Sequence, residues 1–517
     1  MTDYNDLMLR YTDGEKTALL VFDQGTQTLQ IDVLPTARSI ATAAQLVEAL
    51  ATGGTYRVVN GIYTGNFVAK ADGVRLLCEP DVVLTPKEPS VATLVVFGSG
   101  FSMRGGLIQG SDKTDTVICG SFNATTAEAQ PTDVLFEDVE ILAPPTGGKR
   151  GIAVHTRAFT MRHCRIAGYY RNGQEVQAIW IHNGPGPYTI EDCYLEGAGE
   201  NLLTGGATVK IPNCVPSDIV IRHCTFYKPD KWRPGGTQPA TVKNILELKN
   251  AQRVLVEYCV LDGCWKSGQA GSAIVFTVRN TAATEGGNNP WVIVDQIMFR
   301  HNIVRRAPQG YAVNILGHDD GGRASEQTKR IEIIDNLFED ATGIVQISNG
   351  VTDMLKLERN TFPCPNGAII MFANWKGTKT HLEVLDNCGL TGIYTVFTSG
   401  GTGGGPIGAM TDGCGANNFL FTENVLERSV YKNSAGQPTI AKPVLPPGNT
   451  LLAPNAIVWG ETYVYTGEGS PAGWPGPEGL PPIPDGAVVV NQTRIEIDEN
   501  TVSMDPIEID NAASIEV

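Results

Sequence analysis

Apolar and polar residues alternate along this chain in short bursts, and one burst keeps returning. FTMRHCRI (159–166), YTIEDCYL (188–195), IVIRHCTF (219–226) and VLVEYCVL (254–261) share a frame of alternation, one extra polar residue, a cysteine, and a return to apolar. The frame continues with asparagine in the cysteine position in IMFRHNIV (297–304), IEIIDNLF (331–338), LKLERNTF (355–362) and FLFTENVL (419–426), and more loosely in LEVLDNCG (382–389). Upstream, VLFEDVEI (134–141) and FSMRGGLI (101–108) keep the rhythm with valine and glycine there. Alternation of period two predicts strands. Roughly eleven such units, about 24 to 43 residues apart, predict a solenoid. A second short strand falls between units, in GIAVH (151–155), AIWIH (178–182), ILELK (245–249), AIVFTVR (273–279), YAVNIL (311–316), GIVQI (343–347), AIIMF (368–372) and GIYTVF (392–397). Two or three short strands per repeat with variable loops describe an all-β parallel β-helix, each strand stacked on its equivalent ~4.8 Å away.

The shared position is then a buried bend where one residue type stacks on itself. Asparagine there can hydrogen-bond its own kind and the turn backbone, and cysteine fills the same space as a small buried group. Cys164, Cys193, Cys224 and Cys259 are expected to form such an internal ladder. A metal role would need a tetrahedron where these residues make a line, and parallel Cβ vectors disfavour disulfides.

These motifs resemble the right-handed parallel β-helix superfamily, pectate-lyase-like, whose members include pectate, alginate and chondroitin lyases and many phage tailspikes. The resemblance covers about residues 38–430 and implies a β-helix domain over 36–430 with an N-terminal capping helix. It does not fix a function, because this fold carries lyases, hydrolases, epimerases and structural spikes. Residues 1–35 read as a separate leader or attachment segment, with LLVFDQGTQTLQIDVLP as a hairpin. RSIATAAQLVEAL (38–50) has helical spacing and is expected to cap the open end of the core, ahead of the strand pair in TYRVVNGIYTGNFV (55–68). Residues 431–517 are Pro/Gly-rich and then strand-like; they suit subunit assembly or a tail packed on its own β-helix.

Composition narrows the partners. Hydrophobic residues make up 42% of the 517 and charged residues 18%, which suits a folded chain with a large core. The formal net charge of −16 argues against nucleic acid. Apolar runs such as IVFTV (274–278) fall far short of a membrane span. The N-terminus lacks the basic start and apolar run of a secretory signal, so a virion surface, or an exterior reached by another route, is the expected location. The 11 cysteines include no CxxC pair and no zinc spacing.

Candidate chemistry follows from the pleat. If Ile152/Val154, Ile179/Ile181 and Leu246/Leu248 face in, then His155, Trp180, His182, Glu247 and Lys249 face out, followed by Thr277, Arg279, Asn314 and His318. His155, His182, Lys249 and Arg279 would make a cationic stripe. Loops at 183–187, 197–217, 227–244, 264–272, 280–296 and 317–330 would wall it. NILELKN, AIVFTVRN and VNILGHDD are similar, in that order, to the chondroitin/alginate lyase family. There a lysine removes the proton α to a uronate carboxylate and an arginine on the next coil assists the leaving group. The resemblance implies Lys249 as base and Arg279 as acid or charge stabiliser. It also implies a calcium on carboxylates just before the lysine, where this chain carries Lys243 and Asn244, with Glu247 as a poor substitute. A hydrolase would instead need two carboxylates across a groove, from Glu200 in GAGENLLTGG, Glu247, and Asp319 or Asp320 in GHDDGG, although Asp-Gly pairs also form plain turns. His155, Trp180, His182, Asn201, Asn314 and His318 are candidate substrate contacts. Trp265, Trp291 and Trp375 are either sugar platforms or loop cover. The expected protein is a polysaccharide-binding, in one reading polysaccharide-degrading, spike, forming a homotrimer beside other virion proteins. The alternatives are a non-catalytic structural surface protein and a secreted polysaccharide lyase.

Overall fold

The computed structural model describes residues 37–457, except 286, 349–352, 364–367, 374–379, 393, 400–404, 442 and 444, together with the strands Leu9–Asp13, Lys16–Asp23 and Thr28–Leu34. Those three strands form an antiparallel sheet, and the second and third make the hairpin expected from the sequence. The acidic stretch after residue 457 and Trp375 lie outside the described residues.

From Arg38 to Leu452 the chain winds as a parallel β-helix. Its strands fall into three long parallel sheets: sheet I with 12 strands, sheets II and III with 14 each. One coil runs Arg150–His155 in sheet I, Phe159–Arg162 in sheet II and Arg165–Tyr169 in sheet III, and the next begins at Gln177–Ile181. Every strand of the three sheets pairs with its equivalent on the neighbouring coil. The strand order therefore makes the fold a solenoid with one continuous core. The count exceeds eleven because the coils before residue 101 lack the eight-residue frame.

The N-terminal cap is a helix, α1 (Ala43–Thr52), shorter than the helical spacing suggested: Arg38–Ile40 is a strand of sheet II paired with Tyr56–Val58. Thr42 starts the helix. Its hydroxyl accepts from Gln45 N and the Gln45 side chain accepts from Thr42 N, a capping box that satisfies two orphan donors. Leu46, Ala49 and Leu50 pack onto the first coil, and Leu50 O accepts from Lys70 N and Ala71 N, tying the helix to the solenoid.

Between sheets II and III the chain turns on one left-handed residue. φ is 52° at His163, 51° at Asp192, 53° at His223 and Tyr258, 54° at His301 and 55° at Asp335. Such a conformation costs roughly 1–2 kcal/mol for a residue with a Cβ. The buried residue that follows offsets it. Cys164, Cys193, Cys224 and Cys259 are reduced and buried in line, and Cys224 N points to Cys259 Sγ at 3.4 Å. The line then passes to asparagine: Cys259 N donates to Asn302 Oδ1 (2.9 Å), Asn302 N to Asn336 Oδ1 (2.9 Å), Asn336 N to Asn360 Oδ1 (3.0 Å) and Asn360 N to Asn387 Oδ1 (2.9 Å). Asn424 and Asn449 complete it, so the ladder runs one rung past the frame seen in the sequence.

Outside the same bend runs a column of alternating charge. Glu137 pairs in register with Arg162, Arg162 with Glu191, Glu191 with Arg222, Arg222 with Glu257, and Glu257 with Arg300. Ion pairs follow at Arg104–Glu137 (2.5 Å), Arg162–Glu137, Arg222–Glu191 (2.6 Å) and Arg300–Glu257 (2.7 Å). Like charges one coil apart would repel, and the alternation avoids this. One residue on, Asp138, His163, Asp192 and His223 alternate too, each step a nitrogen–oxygen separation of 3.6 Å. The Asp138 and Asp192 carboxylates push the His163 imidazole up to about 10. A pKa raised above the unfolded value of ~6.5 stabilises the fold fully below that pH and less and less as pH rises through the folded value. His163→Gln is therefore expected to lower the unfolding midpoint at pH 6 and to approach the parent at pH 10, with a smaller gap in high salt. A gap unchanged between pH 6 and pH 10 would remove the electrostatic account.

Candidate functional site

On sheet I the pleat places side chains as the alternation requires: Ile152, Val154, Ile179, Ile181, Leu246 and Leu248 fill the core. The opposite side is not the open stripe that the sequence suggested. His155, Trp180 and His182 are buried, not solvent-facing. Trp180 stacks on His182 (centroids 5.0 Å apart, 6°), His155 meets Trp180 edge-on (5.3 Å), and Phe122 lies over His182 (5.4 Å). Arg150 sits 4.2 Å above the Trp180 ring, and Trp180 Nε1 donates to Gly205 O (2.8 Å). The cover is stapled by Asn183. Its amide donates to Phe122 O and Ala124 O, and its oxygen accepts from Lys210 N and Ile211 N. Burial lowers the imidazoles, His155 to about 4 and His182 to about 3, the latter also by the neighbouring His155. Both are neutral at pH 7. The four-cation stripe is thus reduced to Lys249 and Arg279, since period-two reading gives direction but not cover.

Lys249 and Arg279 do come together. Backbone bonds step from coil to coil past the strand ends: Gly205 N to Ile181 O (2.9 Å), Lys249 N to Thr204 O (3.0 Å) and Arg279 N to Lys249 O (3.1 Å). Gly206 makes room for the lysine, since a Cβ there would lie 3.1 Å from Lys249 Cδ and its φ is 81°. Each cation has a carboxylate of its own chain. Lys249 Nζ is 3.3 Å from Glu247 Oε2, and Arg279 Nη1 pairs with Asp320. Both cations stay partly open to solvent, with side-chain exposures of 14% and 29%. On the next coils, in register with Glu247, come Val275, Asn314 and Gln346. Asn314 is half-buried, its Oδ1 carries no hydrogen bond, and His318 near it is half-buried as well.

The other candidates are placed differently. Glu200 and Asn201 lie on a sheet I strand, Glu200–Thr204, where a loop was expected over 197–217, and both are fully buried. The strand follows the core residue Leu202, and the Asn201 amide ties it to Leu195 O (2.7 Å) and Tyr227 O (3.0 Å). Asp319 is a turn former: its oxygens accept from Gly321 N (2.8 Å) and Asn280 N (2.9 Å). Of the tryptophan platforms, Trp265 is buried under its loop and Trp291 half-buried.

Sequence reasoning missed the buried polar line that runs under this face. Asp115 receives Arg150 (2.8 Å), Arg150 Nε donates to Gln177 Oε1 (2.9 Å), Gln177 Nε2 to Glu200 Oε2 (2.9 Å), and Glu200 Oε1 meets Lys243 Nζ at 2.5 Å. Lys243 Nζ also meets Glu175 Oε1 at 2.7 Å. Behind it Lys228, fully buried, donates to Gly197 O (2.5 Å), Ala198 O (2.9 Å) and Gly199 O (2.8 Å), and burial lowers its ammonium to about 7. Lys228 fixes the turn that delivers Glu200.

The calcium implied beside Lys249 does not fit these residues. The place before the lysine is filled by the Lys243 ammonium, itself a cation among carboxylates. Among the described residues, Glu191, Asp192 and His223 approach one another closely enough to hold an ion, but they sit on the outer bend and Glu191 is engaged by Arg222.

No protein-family model and no curated protein matches the chain. Among solved structures, an alginate lyase from Paenibacillus sp. FPU-7 is 15% identical, with a TM-score of 0.36, over 70% of this chain and 98% of its own. The A-module of a mannuronan C-5 epimerase from Azotobacter vinelandii is 16% identical, with a TM-score of 0.39, over 70% and 99%. A tailspike from the Acinetobacter baumannii bacteriophage Fri1, a capsular polysaccharide depolymerase, is 12% identical, with a TM-score of 0.34, over 87% and 68%.

Proposed function

We propose that this β-helix binds an acidic polysaccharide along sheet I, centred on Lys249 and Arg279, and cleaves it by β-elimination. The observation that carries the reading is the pairing of these two cations on successive coils, joined by the Arg279 N to Lys249 O bond and both partly open to solvent. In the proposed step, a uronate carboxylate displaces Asp320 from Arg279, whose guanidinium takes up the charge that develops on the carboxylate. Lys249 Nζ, turned from Glu247 and reacting as the neutral amine after giving a proton to solvent, takes the proton α to the carboxylate and becomes the ammonium. The electron pair forms the carbon–carbon double bond, the glycosidic C–O bond β to the carboxylate breaks, and the leaving oxygen recovers the proton from Lys249. Asn314, in the register of Glu247 two coils on, and His318 are the substrate contacts this reading assigns beyond the two cations. A homotrimer displayed on a virion or cell exterior is the setting that the tailspike resemblance implies for such a chain.

A second reading has its own support: both cations are already paired by Glu247 and Asp320, which suits a binding or structural surface without catalysis. Incubation with a panel of acidic and neutral polysaccharides separates the two. New reducing ends together with ultraviolet absorbance of an unsaturated product are the expected result on a uronate polymer. Reducing ends without absorbance would point to hydrolysis, and silence on both, with retained binding, to the non-catalytic reading.

A further inference from the structure

We propose that a polysaccharide held at Lys249 and Arg279 runs from them in one direction only, toward the C-terminal coils, and rests there on a sugar platform made by Tyr394 and Phe397. The inference rests on the acidic-polysaccharide reading of the two cations and adds a second contact to it. Outward positions of sheet I line up coil by coil. From Glu247 toward the N-terminus they are Leu203, Trp180 and Ala153, all buried, with Phe122 and Ala207 packed against them. That direction is closed. From Glu247 toward the C-terminus the buried Val275 is followed by Asn314, Gln346, Met371 and Phe397, each only half-buried. The face therefore opens on the side away from the histidines.

The chemistry along the open stretch changes in order from charge to amide to aromatic ring. Asn314 Oδ1 has no hydrogen bond, and the Gln346 amide has only the nearby Ser348 hydroxyl (3.1 Å). At the far end Tyr394 is 55% exposed, and its ring lies 5.1 Å from that of Phe397 at 43°. A sugar ring carries hydroxyls at its rim, which suit the two amides, and C–H groups on its face, which suit an aromatic ring. Five strand spacings separate Glu247 from Phe397, ~24 Å at ~4.8 Å each. Only a polymer reaches both ends, so the occupant is a chain of sugars and not a single uronate. The competing occupant of the exposed rings is a second copy of this chain.

Tyr394→Ala and Phe397→Leu test the platform, the second keeping apolar volume while removing the ring. Both are made in the Lys249→Arg background, so that elimination does not consume the ligand. Calorimetry then compares a uronate polymer with an oligosaccharide of the same repeat too short to reach from one end to the other. Each ring variant is expected to bind the polymer about tenfold more weakly and the short oligosaccharide unchanged. Arg279→Ala is expected to weaken both ligands. Polymer binding that falls in Arg279→Ala but not in the ring variants would overturn the platform and leave the cationic site standing. Absence of uronate-polymer binding in the parent and the background alike would overturn both. Equal losses on the short and long ligands would mean a structural change at Lys249 and Arg279, and would also overturn the platform. Unchanged binding with a smaller sedimenting species in Tyr394→Ala would give the rings to a second copy instead.

Discussion

Asn360→Ala should be among the most destabilising single changes in the solenoid, costing about 4 kcal/mol. The side chain has partners on both neighbouring coils. Its oxygen accepts from Asn336 N (3.0 Å) and Asn336 Nδ2 (3.0 Å), and its amide donates to Ile333 O (2.8 Å) and Asn387 Oδ1 (3.0 Å). Truncation orphans the Asn336 N–H and takes the side-chain donor from the Ile333 carbonyl, a strand residue, in a region where Asn336 and Asn360 have almost no contact with water. Each buried orphan costs about 1–3 kcal/mol, and the lost volume adds to it. It also removes the local support for the left-handed Arg359, whose φ is 50°. Asn360→Cys is the informative companion, because four coils of this chain use cysteine at the same position. It keeps most of the volume and is expected to cost about half as much. Denaturant unfolding of the parent and both variants tests this; an alanine variant within 1 kcal/mol of the parent would mean that the ladder is packing without hydrogen-bond support.

That ladder was legible in the sequence because its signal is strictly local. A left-handed residue, a small or amide residue and two flanking strands recur within eight positions, and the period gives the stacking. The alternating Arg–Glu and His–Asp columns outside the bend were equally present in RHC, EDC, RHC and EYC, but only register between coils turns an alternation of sign into an ion-pair ladder. The first two coils stayed outside the repeat count because neither carries the frame, although the strand pair of the first, in TYRVVNGIYTGNFV, was expected behind the cap. What covers sheet I was not legible at all. Phe122 reaches His182, and Asn183 staples backbone about 60 residues away, through loops whose lengths carry no period. For the same reason Glu200 was read as a loop residue: Gly197 and Gly199 beside it look like loop formers, yet a Cβ on Gly197 would strike the backbone of Glu200 and Ala178 and one on Gly199 that of Val176, so they are glycines of close packing. Lys243 was noticed only as a departure from a calcium pattern, because its meaning depends on Glu175, some 68 residues earlier in the chain, which no spacing rule connects to it.

The change with the largest expected effect on activity is Lys249→Ala, which should lower eliminative cleavage of a uronate polymer about 10³-fold, with Arg279→Ala close behind. In the proposed elimination the two residues would act on one transition state across one pair of coils, so the double variant should fall little below the worse single variant. Stability is a poor explanation for such a loss, since both side chains reach solvent and neither belongs to the core. Lys249→Arg separates base from counter-charge. A guanidinium keeps the ion pair with Glu247 but stays protonated at any working pH, so it cannot take a proton. It should therefore bind the polymer nearly as well as the parent while cleaving it no faster than the alanine variant. Asp320→Asn tests the other half of the site. It leaves Arg279 without its own carboxylate, and if the substrate carboxylate competes with Asp320 the variant should bind uronate polymers more tightly than neutral ones, by a larger factor than the parent. Full cleavage by Lys249→Arg would place the base elsewhere. Unchanged cleavage by both alanine variants would move the chemistry off this pair of coils altogether, whereas polymer binding without cleavage in every protein, parent included, would leave Lys249 and Arg279 as charge contacts on a surface that holds its ligand intact.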